Sequence, residues 1–153
     1  DGSLRSLADP SNPTPTERRY ISRLTRQRLH QPEFRAKVLL AYETRCAVCQ
    51  LKHGRLLDAA HIIGDREEGG DPIVTNGLTL CKIHHASYDA NMLGISPDYT
   101  VHINRDLLEE VDGPMLKHGI QEMDRRGLTI PSRRVDRPDR ERLAQRYNTF
   151  LAS

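Results

Sequence analysis

The pattern Cys46-x2-Cys49 followed by Cys81-x2-His84 constrains this chain most, because it takes up all three of its cysteines. Two residues between ligands let a tight knuckle aim both side chains at one point. Two such knuckles supply the four donors of a tetrahedral zinc ion. Four protein donors leave no open position, so the implied ion is structural. It would staple a helix beginning near Lys82 to the segment around Cys46. Three cysteines cannot all pair in disulfides, and no secretory signal pattern opens the sequence; both point to a reducing, cytoplasmic setting. Three unrelated buried thiols beside a surface histidine would leave the shared spacing without a reason.

A staple suits the composition. The chain has 153 residues, 37% hydrophobic and without tryptophan, so its core is modest. No apolar run approaches the roughly 20 residues a bilayer span needs. Residues 1–16 are rich in Pro, Ser and Thr and read as a disordered arm or linker. Net charge is +2 but uneven. Arg18, Arg19, Arg23, Arg26, Arg28, Arg35 and Lys37 crowd one segment, and Arg133, Arg134, Arg137, Arg140, Arg142 and Arg146 crowd the tail. Either segment is a solvated helix face or a polyanion-binding surface. Arg19, Arg23 and Arg26 share one helical face and are suited to track a phosphate backbone.

Periodicity predicts a helix through "TERRYISRLTRQRLH" with Thr16 as its N-cap, and a second helix opening at Pro32. In the second, Phe34, Val38, Ala41 and Tyr42 form an ordinary core stripe. Leu56 to Ile63 reads as a strand, "GDREEGGDP" as a loop, Lys82 to Asn91 as a short helix and Tyr99 to Ile103 as a strand. A helix ending at Gly127 and a last one starting near Pro138 follow, the latter burying Leu143, Tyr147, Phe150 and Leu151.

Adjacent helical residues point about 100° apart, so His84 and His85 cannot easily serve one ion. With His84 in the zinc set, His85 is free for another. Asp89 lies one turn on and on the same face, which makes an i, i+4 pair suited to a hard or borderline divalent ion. Upstream, the intervals are His61-x14-Asn76-x8-His85, and Asp58 lies three residues before His61. His30, His53, His102 and His118 show no such pattern and read as ordinary packed or surface residues.

The run "CAVC…LLDAAHIIGD…TNGLTLCKIHHASYD" resembles an HNH endonuclease, and the lead-in "HQPEFRAKVLLAYETRC" resembles that of HNH domains in McrA-like modification-dependent restriction endonucleases. The resemblance covers roughly Gln31 to Ile103. It implies an α+β chain: a ββα-metal core with a structural zinc knuckle, flanked by N- and C-terminal helices. Residues 17–104 would form the nuclease domain with its N-terminal helices, and residues 105–153 a C-terminal helical extension. His61 would be the general base. Asn76 would tie down the loop, and His85 with Asp89 would hold a catalytic divalent ion (Mg²⁺, Mn²⁺ or Ni²⁺). Products would carry 5′-phosphate and 3′-hydroxyl ends, and double-stranded DNA cut by a homodimer would be the substrate.

One position departs from the family. Ala60 stands where many HNH enzymes carry a second metal ligand; Asp89 is one substitute, and Asp58, on the same strand face as Ala60, is another. The competing reading is a non-catalytic zinc module that binds nucleic acid through its arginines.

Overall fold

The computed structural model describes residues 14–153, except for the side chains of residues 23 and 26–29. Most of the expected N-terminal arm therefore lies outside the described residues. The chain divides into two compact units, residues 1–33 and 34–153.

Helix α1 runs Pro15–Ala41. It opens two residues earlier than the sequence suggests, because Thr14 rather than Thr16 caps it. The Thr14 hydroxyl accepts from Glu17 N–H at 3.2 Å, and the Glu17 carboxylate accepts from Thr14 N–H at 2.9 Å. This is a reciprocal capping box. The expected break at Pro32 is absent: the helix continues through it, forgoing one backbone donor. It ends where Glu43 and Thr44 take left-handed backbone conformations.

In the second unit, Phe34, Val38 and Tyr42 are buried as expected. They lie on an antiparallel hairpin, β1 (Leu57–His61) paired with β2 (Gly77–Cys81), in a register from Leu57↔Cys81 to His61↔Gly77. Every residue of β2 is buried. Gly77 is required by the approach of α1, since a Cβ there would sit 2.5 Å from Val38 Cγ2 and 3.1 Å from Phe34 Cζ. Tyr42 and Thr79 hydroxyls complete the seam, bonding the carbonyls of Gly77 and Val38. Helix α2 (Lys82–Asp89) follows β2 without a loop, so the ββα unit is continuous in sequence.

A second hairpin pairs β3 (Leu93–Ile95) with β4 (Val101–Ile103). β3 carries no sequence signal beyond three apolar residues. β4 starts later than expected because Tyr99 has a positive φ of 65°. After α3 (Arg105–Glu109), the helix expected up to Gly127 is instead a π turn, Met115–Ile120, and a 3-10 turn, Gln121–Met123.

The last helix, α4 (Arg140–Leu151), is capped by Asp139, whose carboxylate accepts from Arg142 N–H. Leu143 and Phe150 are buried, but Leu151 is 61% exposed, a correction to the expected stripe. Phe150, buried as expected, lies so close over Gly94 that a Cβ there would meet its ring at 2.4 Å.

Four of the tail arginines brace the fold, while Arg133 and Arg134 are exposed. Arg137 donates to the Pro131 carbonyl, Arg140 to Pro97, Arg142 to Gly69 and Arg146 to Tyr88. Arg140 and Arg146 also lie over the rings of Tyr99 and Tyr88. Among the described residues, no helix is long and apolar enough to cross a membrane.

Candidate metal centre and active site

The four residues of the two knuckles meet. The ligand atoms of Cys46, Cys49, Cys81 and His84 all lie within 4.8 Å of one another. The first knuckle is closed by Gln50 N–H bonded to the Cys46 carbonyl and Cys46 N–H bonded to that of Leu51, with Gln50 at a positive φ of 66°. In the second, Cys81 ends β2 and caps α2, its sulfur accepting from His84 N–H. Cys46, Cys81 and His84 are buried, and Cys49 faces solvent.

The His84 ring is already oriented for ligation. Its Nε2–H donates to the Gly119 carbonyl at 2.6 Å, which leaves the Nδ1 lone pair facing the Cys81 and Cys46 sulfurs at 3.2 and 3.6 Å. An outer-shell carbonyl of this kind fixes the tautomer of a metal-bound histidine. Without an ion, burial lowers the His84 pKa but the hydrogen bonds to Cys46 and Cys81 outweigh it, so a proton on Nδ1 would take the place that an ion would otherwise fill. Cys46 is held strongly toward thiolate by hydrogen bonds from Cys49 and Cys81. Three sulfurs and one imidazole nitrogen this close together fit a tetrahedral ion with sulfur ligands, and the cluster could bind zinc.

The second group is built on β1 and α2. Side chains alternate along β1, so Asp58 and Ala60 share one face and Ala59 and His61 the other. Asp58 faces α2. One carboxylate oxygen lies 2.8 Å from His85 Nδ1, and the other pairs with Lys82 Nζ. Burial would raise the Asp58 pKa, yet the bonds from His85 and Lys82 outweigh it and hold the carboxyl below its ordinary value. On the far side of the imidazole, Nε2 lies 3.3 Å from Asp89 Oδ2.

Asp58 and Asp89 thus flank opposite nitrogens of His85. Both oxygens of Asp58 are engaged, and Ala60 is 1% exposed and offers no donor. The donors left to share an ion are His85 Nε2 and Asp89. Among the described residues, the Cys/His cluster is the one set of three or more candidate ligands that converges.

His61 ends β1 with its ring stacked on Phe34, centroids 4.3 Å apart and planes 22° from parallel. Its Nε2 is buried and has no hydrogen-bond partner. Burial lowers its pKa, the neighbouring His85 adds to that, and Asp65 partly opposes both, so the net direction is down. The surroundings of the ring therefore favour its neutral form. Asn76 is completely buried in the 3-10 turn before β2. Its Oδ1 accepts from Ile63 N–H at 2.9 Å, and its Nδ2 donates to the carbonyls of Ile63 and Asp71, each at 3.0 Å.

Arg19 is exposed, its guanidinium reaching the Thr16 hydroxyl at 3.4 Å; the side chains of Arg23 and Arg26 lie outside the described ones. Sequence reasoning missed Gly119, which acts through its carbonyl and leaves no side-chain signal. It also read Phe34 only as core, since a stacking partner looks like any buried aromatic.

Comparison with known proteins agrees with this geometry. Residues 46–96 match the HNH endonuclease family. A search of curated proteins gave no match. Among solved structures, a modification-dependent TagI restriction endonuclease is similar, with a TM-score of 0.50 and 21% sequence identity over 76% of this chain. The chain spans 37% of that protein's length, and at this identity the likeness speaks to the fold. The zinc-type cluster, His61, Asn76 and His85 all fall inside the matched residues, and this chain carries an HNH endonuclease domain at residues 46–96.

Proposed function

We propose that the chain is the catalytic part of a metal-dependent DNA endonuclease, in a restriction system that acts on modified DNA. The observation that carries this reading is His61: a histidine at the end of β1, stacked on Phe34 and shifted toward its neutral form by burial, beside the loop that Asn76 pins down. A neutral imidazole accepts a proton at pH 7, as a general base must. In this reading His61 draws the proton from the attacking water, which adds to phosphorus as the bond to the 3′ oxygen breaks. That leaves 5′-phosphate and 3′-hydroxyl ends. A divalent ion such as Mg²⁺, Mn²⁺ or Ni²⁺ at His85 and Asp89 supplies charge stabilisation for the phosphate and the leaving oxygen. Asn76 orients the backbone beside His61 and takes no part in bond making. Zn²⁺ fills the Cys46, Cys49, Cys81, His84 set as a structural ion.

Double-stranded DNA is the substrate and a homodimer on DNA the working form, since each HNH site handles one phosphodiester. Binding runs through backbone phosphates at Arg19, Arg23 and Arg26, so it carries little sequence preference and falls steeply with salt. The sparse donor set around His85 favours a second reading, a zinc-stapled module that binds nucleic acid without cutting it. Plasmid nicking with Mg²⁺, Mn²⁺ or Ni²⁺, set against EDTA and a His61→Ala variant, decides between them. Cleavage lost in both controls supports the nuclease. Equal plasmid integrity in all lanes overturns it.

A further inference from the structure

The segment joining β1 to β2, residues 62–76, carries Asn76 at its end and starts directly after His61. It contains three glycines, and its internal backbone bonds are short-range at its middle (Glu67 N–H to the Gly64 carbonyl, Gly70 N–H to that of Glu67) and at its end (Ile73 N–H to that of Asp71, Asn76 N–H to that of Ile73), with Ile62 N–H to the Asn76 carbonyl closing its base. It is also anchored from α4 and its N-cap, outside the residues that match the family. Arg142 Nε–H donates to the Gly69 carbonyl at 2.9 Å, and its guanidinium lies 3.3 Å from the Asp71 carboxylate. Asp139 N–H donates to the Thr75 carbonyl at 2.9 Å.

The bonds then run inward. The Asp71 carbonyl accepts from Asn76 Nδ2, and the Asn76 amide clamps both backbone groups of Ile63, two residues beyond His61. We propose that Arg142 is a positioning residue for His61, acting through Gly69, Asp71 and Asn76. This rests on the nuclease reading above. An arginine in a basic tail would ordinarily be assigned to phosphate binding. Arg142 is unsuited to that, because its side chain is 21% exposed and its donors face Gly69, Asp71 and the Asp139 carboxylate at 3.8 Å. A planar fork meets a carbonyl and a carboxylate together in a way that a lysine cannot reproduce.

The test compares Arg142→Ala and Arg142→Lys with Arg140→Ala in the full chain. Arg140 is on the same helix but braces Pro97 and Tyr99, away from the loop. Two readouts are taken: hydrogen exchange of the Ile63 amide, and kcat against KM for DNA cleavage. Arg142→Ala should speed Ile63 exchange by at least about 10-fold and lower kcat by a similar factor with KM unchanged. Arg142→Lys should fall between it and wild type, which keeps the test open where the alanine variant does not fold. Arg140→Ala should move neither. Ile63 exchange in Arg142→Ala no faster than in Arg140→Ala overturns the proposal. A wild-type protein that cuts nothing overturns the nuclease reading, while the exchange data still decide whether Arg142 holds the loop.

Discussion

The Asp58 carboxylate sits 2.8 Å from Nδ1 of His85, on the opposite side of the ring from Asp89, whose oxygen is 3.3 Å from Nε2. An acceptor on Nδ1–H leaves Nε2 as the lone-pair nitrogen, the one that faces the proposed ion. Asp58 is therefore placed to orient the ligand rather than to be one. Asp58→Asn keeps an acceptor oxygen and should retain most activity. Asp58→Ala should weaken Mn²⁺ binding and cleavage by about 10–100-fold, the usual range for loss of an outer-shell partner. Mn²⁺ titration of both variants checks this. Equal loss in the two would mean that the carboxylate charge itself touches the ion.

His61 gives a pH prediction. Its folded pKa lies below the ordinary 6.5, so the neutral base persists into mildly acid solution and the acid limb of kcat/KM should fall below pH 6.5. For stability the sign is that of a depressed histidine. Its contribution is complete above pH 6.5 and is lost as pH falls through the folded pKa. Phe34→Ala removes the stacked ring that helps to bury His61 and should move the acid limb up toward 6.5. A pH–rate profile of that variant unchanged from wild type would show that Phe34 does not set the base.

The Cys/His cluster and the His61, Asn76, His85 pattern were legible because a ligand set or a proposed catalytic set calls for specific residue types, and in the cluster the two-residue spacing of each knuckle adds to that signal. The hydrogen-bond partners that aim them were not. Gly119 contributes a carbonyl that any residue has, and the contact between Arg142 and Gly69 joins positions far apart in sequence. Charge patterning left the role of the tail open for a related reason. A guanidinium looks the same whether it meets phosphate or a buried carbonyl, and composition does not record which. Pro32 inside α1 shows that a local rule can yield: one lost backbone bond did not stop the helix.

Gly77→Ala tests how tightly α1 is seated on the hairpin. The added Cβ would meet Val38 Cγ2 at 2.5 Å, so Val38 or the helix must move. Overpacking of this kind costs about 1–3 kcal/mol. Chemical denaturation should show that loss, and because His61↔Gly77 is a cross-strand pair, nicking activity should fall with it. Pairing the change with Val38→Ala should restore part of the stability. If the double variant is no better than the sum of the singles, the contact is not the cause.

Removal of zinc should be more damaging than any of these changes. Cys49 is the cluster's solvent-facing member, so Cys49→Ala deletes a ligand while leaving the packed core atoms in place. Were the cluster only a set of buried thiols, such a change would cost little. If it is a structural ion site, the loss is far larger, because binding free energies on the order of 10 kcal/mol are folding free energy in small zinc domains. The purified protein should contain about one equivalent of zinc, and strong chelators should unfold it. Cys49→Ala should lose fold as well as activity, whereas His61→Ala should keep both zinc and fold while losing cleavage. Elemental analysis with circular dichroism on the three proteins separates the roles, and folded wild-type protein with less than about half an equivalent of zinc would refute the structural ion.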